Sequence, residues 1–137
     1  MEKSFLCNYE DTVVETTKGK ILGYETNGIR VFKGIPYARA RRFHPPEQME
    51  PWNDVLDATS FGCVCPLLEM PKPNGELYVP HRYWVMDEDC LNLNLWTPGC
   101  DETKRPVLVW LHGGAYEPGS AIEHIAYEGE NRGNAAA

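Results

Sequence analysis

The run Val107-Leu108-Val109-Trp110-Leu111 is apolar at every position and leads directly into His112-Gly113-Gly114-Ala115-Tyr116. A strand with one wet face alternates polar and apolar residues, whereas an unbroken apolar strand fits a central position covered on both faces. Such a strand expects parallel neighbours and helices packed above and below it, so this segment predicts an α/β architecture. The two glycines that follow allow a sharp turn with no Cβ in the way, and main-chain N–H groups in such a turn can face an open cleft. Donors of that kind can hold the negative oxygen that develops when an acyl group is attacked.

The rest of the composition narrows the possibilities. With 12 glycines and 11 prolines among 137 residues, much of the chain must be loop. Thirteen basic against 20 acidic residues give a net charge of −7, and the basic ones are scattered apart from Arg39, Arg41 and Arg42. That pattern is a poor electrostatic surface for nucleic acid. The first ten residues lack the apolar run of a secretory leader, and no stretch is apolar for long enough to span a bilayer. The expectation is a soluble cytoplasmic chain with no membrane partner.

Along the chain, residues 12–17 alternate like a strand, Lys18-Gly19-Lys20 reads as a turn, and residues 21–26 lead to Asn27-Gly28, the strongest short hairpin signal, before residues 29–32. A small antiparallel meander is predicted. Residues 34–51 are rich in Pro and Arg, and residues 62–87 carry prolines at 66, 71, 73 and 80, which oppose a sustained helix or central strand. These stretches read as long irregular loops. Strict alternation over Leu91-Asn92-Leu93-Asn94-Leu95-Trp96 predicts a second strand, with one buried face.

Seven ordered motifs carry a resemblance: Gly34-Ile35-Pro36-Tyr37-Ala38, Arg42-Phe43, Pro51-Trp52, Asp57-Ala58-Thr59, Glu88-Asp89-Cys90-Leu91-Asn92-Leu93-Asn94, His112-Gly113-Gly114-Ala115 and Tyr127-Glu128-Gly129-Glu130-Asn131. In order and spacing they resemble the type B carboxylesterases, which include para-nitrobenzyl esterases and cholinesterases, over roughly residues 12–131. The resemblance implies the N-terminal portion of a much longer α/β-hydrolase fold: an antiparallel β meander, long loops and the first central strands, ending before the nucleophile elbow. It also implies hydrolysis of a small-molecule carboxylic ester through a serine acyl-enzyme, with no cofactor.

The resemblance assigns roles residue by residue. The backbone N–H groups of Gly114 and Ala115 are the implied oxyanion donors, with Gly113 shaping the turn and His112 holding the loop. One such donor contributes about 3 kcal/mol of transition-state stabilisation. Glu88 is expected to pair with Arg42, a planar guanidinium able to take a carboxylate in two parallel hydrogen bonds. Catalysis shared between Glu88 and Asp89 is disfavoured, because consecutive residues of an extended segment point to opposite sides. Cysteines stand at 7, 63, 65, 90 and 100. In secreted relatives a disulfide joins the positions matching Cys65 and Cys90, and it would contribute roughly 3–4 kcal/mol through the unfolded state. Without a leader sequence, reduced thiols are the expectation. A zinc site built from Cys63, Cys65, Cys90 and His81 is a weak alternative, since Cys-x-Cys lacks the usual gap between ligands; no metal is expected.

The chain departs from the family pattern in two places. The Ala38-Arg39-Ala40-Arg41-Arg42 stretch is shorter than the loop relatives carry, and the residues after Asn131 do not continue into another apolar strand. None of Ser4, Ser60 and Ser120 lies in a Gly-x-Ser-x-Gly elbow. Ser120 reads as a pocket or loop residue, and none of His44, His81 and His124 matches the family's catalytic histidine. The 137 residues alone are therefore expected to be inactive, as part of an ester hydrolase or, alternatively, as a noncatalytic family relic or binding protein. A small metal-binding β domain is the third, weaker reading. Acyl preference and oligomeric state are not specified by these residues.

Overall fold

The computed structural model describes residues 4–66, 82, 84–114 and 119–129. Its regular structure is extended apart from one 3-10 turn at Ile125–Tyr127. The strands are β1 (Phe5–Leu6), β2 (Val13–Thr16), β3 (Gly19–Leu22), β4 (Tyr24–Thr26), β5 (Ile29–Pro36), β6 (Ala38–Arg39), β7 (Glu47–Gln48), β8 (Leu56–Asp57) and β9 (Asn92–Thr97). They form a four-stranded sheet in the order β1-β4-β5-β9, a three-stranded sheet β2-β3-β8, and the two-stranded ribbon β6-β7.

Both hairpins of the meander form, but they belong to different sheets. Asn27 and Gly28 take φ of 51° and 79°, the left-handed pair that a two-residue turn needs to match strand twist, and Thr26 faces Ile29 across it. The first hairpin closes one residue earlier than the sequence suggests. Thr16 pairs with Gly19, so the turn is Thr17-Lys18, and the Thr16 hydroxyl donates to the Gly19 carbonyl at 2.7 Å. The single sheet expected from the pattern is divided at Gly23. A Cβ there would lie 2.5 Å from the Val31 carbonyl oxygen and from the Phe32 ring, so only bare backbone can cross this point from one sheet to the other.

The core sits where the sheets meet. Val31 and Phe32 are fully buried, Ile21 and Ala58 close over Phe32, and Val14, Ile35, Trp52 and Leu56 pack around them. Ala58 ties the layers together: its N–H donates to Leu22 of β3 at 2.8 Å, and its carbonyl accepts from Lys33 of β5 at 2.7 Å. Strands β5 and β9 run antiparallel, with a register shift between Phe32 and Ile35. Gly34 lies in that interruption at φ 66° and donates its N–H to the Asn94 side chain at 3.0 Å.

Two expectations need correction. In β9 the leucines are the more open side, with Leu93 and Leu95 about 40% exposed. The asparagines are the sheltered residues, because their amides are satisfied by backbone: Asn92 Nδ2 donates to Cys63 O at 2.8 Å, and Asn94 Oδ1 accepts from Gly34. The second correction is larger. Residues 107–111 form no strand, and their side chains range from 52% exposed at Trp110 to 84% at Leu111. A strand of this type exists only when neighbours supply ladder partners and cover, and none of the described strands pairs with it. Accordingly no α-helix is found among the described residues, and the helical layers of an α/β arrangement are not among them. No helix among these residues is long and apolar enough to cross a membrane.

Candidate functional site

The apolar segment ends at a turn whose geometry depends on its glycines. Gly114 takes φ 126°, a conformation that side-chain-bearing residues rarely adopt, while the Cβ position of Gly113 faces open space. The His112 ring lies over the turn, with Nδ1 2.7 Å from the Gly113 carbonyl oxygen. Among the described residues no backbone carbonyl accepts from the N–H of Gly113 or Gly114. Ala115 lies outside the described residues. Gly119 lies against the turn: a Cβ there would be 2.6 Å from the Gly113 oxygen and 3.4 Å from Gly114 Cα.

Segment 119–129 is held to the sheets by contacts that have no local signature in sequence. Ser120 and Ile122 are buried. Arg82 donates its N–H to Glu123 O at 2.8 Å, and its guanidinium meets Glu128 at 2.8 Å, an ion pair without hydrogen-bond alignment. The same guanidinium lies 5.2 Å from the Phe61 ring centre, and Lys33 Nζ lies 4.2 Å from it. Gly129 packs on the Trp96 indole, and the Tyr127 ring sits 5.3 Å from Trp110 and 5.1 Å from His124. Sequence alone does not point to Arg82 or to the packing contacts of Gly119 and Trp96; Ser120 and the Tyr127-Glu128-Gly129 motif mark this region.

The remaining candidates fall elsewhere. Arg42 Nη2 donates to Glu88 Oε1, a single hydrogen bond where two parallel ones were expected, and Asp89 pairs separately with Arg39 at 3.5 Å. Each carboxylate thus has its own arginine, on an exposed surface where such pairs contribute at most about 1 kcal/mol. Cys65 and Cys90 are both free thiols. Burial pushes the Cys90 thiol up, and the neighbouring Cys65 adds to the shift. His81 lies outside the described residues, and no group of three or more His, Cys, Asp or Glu among those described is placed to hold a metal. A groove of about 480 Å³ runs beside the β6-β7 ribbon, lined in part by Arg39, Glu47, Met49, Trp52 and Leu56, and none of residues 112–114 lines it.

Residues 10–131 match the model of the Carboxylesterase family. The chain is 39% identical over 122 residues to the para-nitrobenzyl esterase of Bacillus subtilis (strain 168), covering 85% of this chain and 24% of that protein. It is also 39% identical to the phenmedipham hydrolase of Pseudarthrobacter oxydans over 113 residues, 79% of this chain and 22% of the relative. Among solved structures, an esterase from anaerobic Clostridium hathewayi that can hydrolyze aliphatic aromatic polyesters superposes with a TM-score of 0.88 at 52% identity, over 98% of this chain and 27% of that one. A PNB esterase structure superposes with a TM-score of 0.71 at 38% identity, over 88% and 24%. The chain therefore spans about a quarter of the length of the relatives it matches. A match of this extent, over strands, loops and the His112-Gly113-Gly114 turn alike, shows that the chain belongs to the carboxylesterase family.

Proposed function

We propose that this chain is the N-terminal part of a carboxylic-ester hydrolase of α/β-hydrolase fold, and that it contributes the oxyanion-holding turn to a serine acyl-enzyme mechanism. The observation that carries the reading is Gly114: its left-handed φ leaves an N–H that no described carbonyl accepts, in a turn that falls within the family match. In the reaction a serine oxygen bonds to the acyl carbon and its proton passes to a histidine base, while the carbonyl electrons move onto oxygen. The Gly114 N–H donates to that oxygen, and Ala115 is the second proposed donor. Collapse expels the alcohol, which takes the proton, and water then releases the acid; no cofactor is needed.

The serine, histidine and acid would come from polypeptide outside these residues, since no Gly-x-Ser-x-Gly run occurs here. The exposure of residues 107–111 supports this, because five apolar side chains ending at the proposed site call for further chain to cover them. The name of the para-nitrobenzyl esterase relative points to small carboxylic esters as the substrate class.

The test is a chimaera in which residues 10–131 replace the matching quarter of the Bacillus subtilis para-nitrobenzyl esterase. Hydrolysis of para-nitrophenyl acetate is expected from the chimaera and no burst from the 137-residue chain alone. A folded chimaera without hydrolysis, or a burst from the isolated chain, refutes the proposal.

A further inference from the structure

We infer that Gly119 is a positioning residue for the proposed reaction: its bare Cα sets the direction of the Gly114 N–H. The inference rests on the reading of Gly114 as an oxyanion donor. In a trans peptide the carbonyl of one residue and the N–H of the next lie in one plane and point in opposite directions. The described residues contain no cis peptide, so whatever fixes the Gly113 oxygen also aims the Gly114 N–H.

That oxygen is contacted from two directions. His112 Nδ1 lies 2.7 Å from it, and Gly119 approaches so closely that a Cβ would stand 2.6 Å away. The obstacle is backbone, which cannot swing aside as a side-chain tip can. A methyl group at position 119 must therefore displace one of the two segments. Segment 119–129 is the firmer, with Ser120 and Ile122 buried and Glu123 O tied to Arg82. The turn is the softer, because Gly113 is exposed and empty space surrounds its Cβ position. The 113–114 peptide is the part that rotates, carrying the Gly114 N–H off the developing oxyanion. Gly119 does not occupy the left-handed region, so the effect of Gly119→Ala is steric contact and not backbone incompatibility.

In the chimaera described above, Gly119→Ala is expected to lower kcat about ten- to a hundredfold for para-nitrophenyl acetate, with KM changed by less than about twofold. It is expected to weaken an aryl trifluoromethyl ketone, which forms a tetrahedral oxyanion on the serine, by the same factor. A role in stability alone would lower the amount of folded enzyme and leave the kcat and ketone affinity of the folded fraction intact. If the unsubstituted chimaera binds the ketone no more tightly than substrate, the oxyanion reading itself fails. If it binds tightly and Gly119→Ala binds equally well, only the role of Gly119 is overturned. A second measurement avoids the chimaera altogether. In the 15N-labelled 137-residue chain, Gly119→Ala should move the Gly114 amide resonance and leave that of Gly28 in place; an unmoved Gly114 signal overturns the inference.

Discussion

Replacing Phe32 by alanine is expected to unfold this chain, whereas replacing Leu108 by alanine is expected to leave it nearly untouched. Phe32 is 2% exposed and carries the contacts of Ile21 and Ala58. Removing a buried phenylalanine costs about 3–5 kcal/mol through lost transfer energy and the cavity left behind. Leu108 is 74% exposed. Complete burial of a leucine stabilises by about 1.5–3 kcal/mol, so the quarter that Leu108 buries amounts to roughly 0.5 kcal/mol. The assay is urea unfolding of residues 1–137 at pH 7, followed by tryptophan fluorescence and circular dichroism. Ile21→Val, at about 0.5–1.5 kcal/mol, supplies a graded core variant that keeps a measurable transition. A loss of about 2 kcal/mol or more in Leu108→Ala, or a Phe32→Ala chain with an unchanged midpoint, would show that residues 107–111 and not the Phe32 cluster carry the fold.

Two further outcomes follow from particular contacts. Gly28 sits at φ 79° with open space around it, so Gly28→Ala meets no neighbour and is expected to cost about 1 kcal/mol from backbone conformation alone, read from the same urea transition. The Thr59 hydroxyl and N–H both donate to Asp57 and hold its carboxyl below the usual range. A depressed folded-state pKa stabilises above the unfolded value of about 3.9 and loses that contribution as pH falls through the folded value. Thr59→Val should therefore narrow the difference in urea midpoint between pH 7 and pH 3, and an unchanged difference would remove Asp57 from the acid sensitivity.

What sequence revealed and what it hid divide along physical lines. Asn27-Gly28 was legible because few residue pairs accept two successive positive φ values, and the glycines after Leu111 were legible for a similar reason. The separation of the meander into two sheets was not, because it depends on the Phe32 ring and the Val31 carbonyl lying against Gly23, a contact made only after folding. Alternation in residues 91–96 located a strand but did not tell which face is sheltered; the asparagines took that side by bonding to backbone from Gly34 and Cys63. The composition of residues 107–111 describes a central strand and the surroundings such a strand needs, and the described residues do not provide them. At the candidate site, the Gly113-Gly114 turn was visible in the text, while Gly119 and Arg82 became visible only through the close approach of one segment to another.

Ala58 has a consequence beyond packing. One residue of a loop-rich segment bridges two sheets through the peptide groups on either side of its Cα, so detaching it from either sheet loosens its hold on the other. Solvent deuterium should reach the amides of Ala58 and Lys33 only in the same rare event, at one common rate, which makes this small methyl-bearing residue the point at which two modest sheets become one cooperative body.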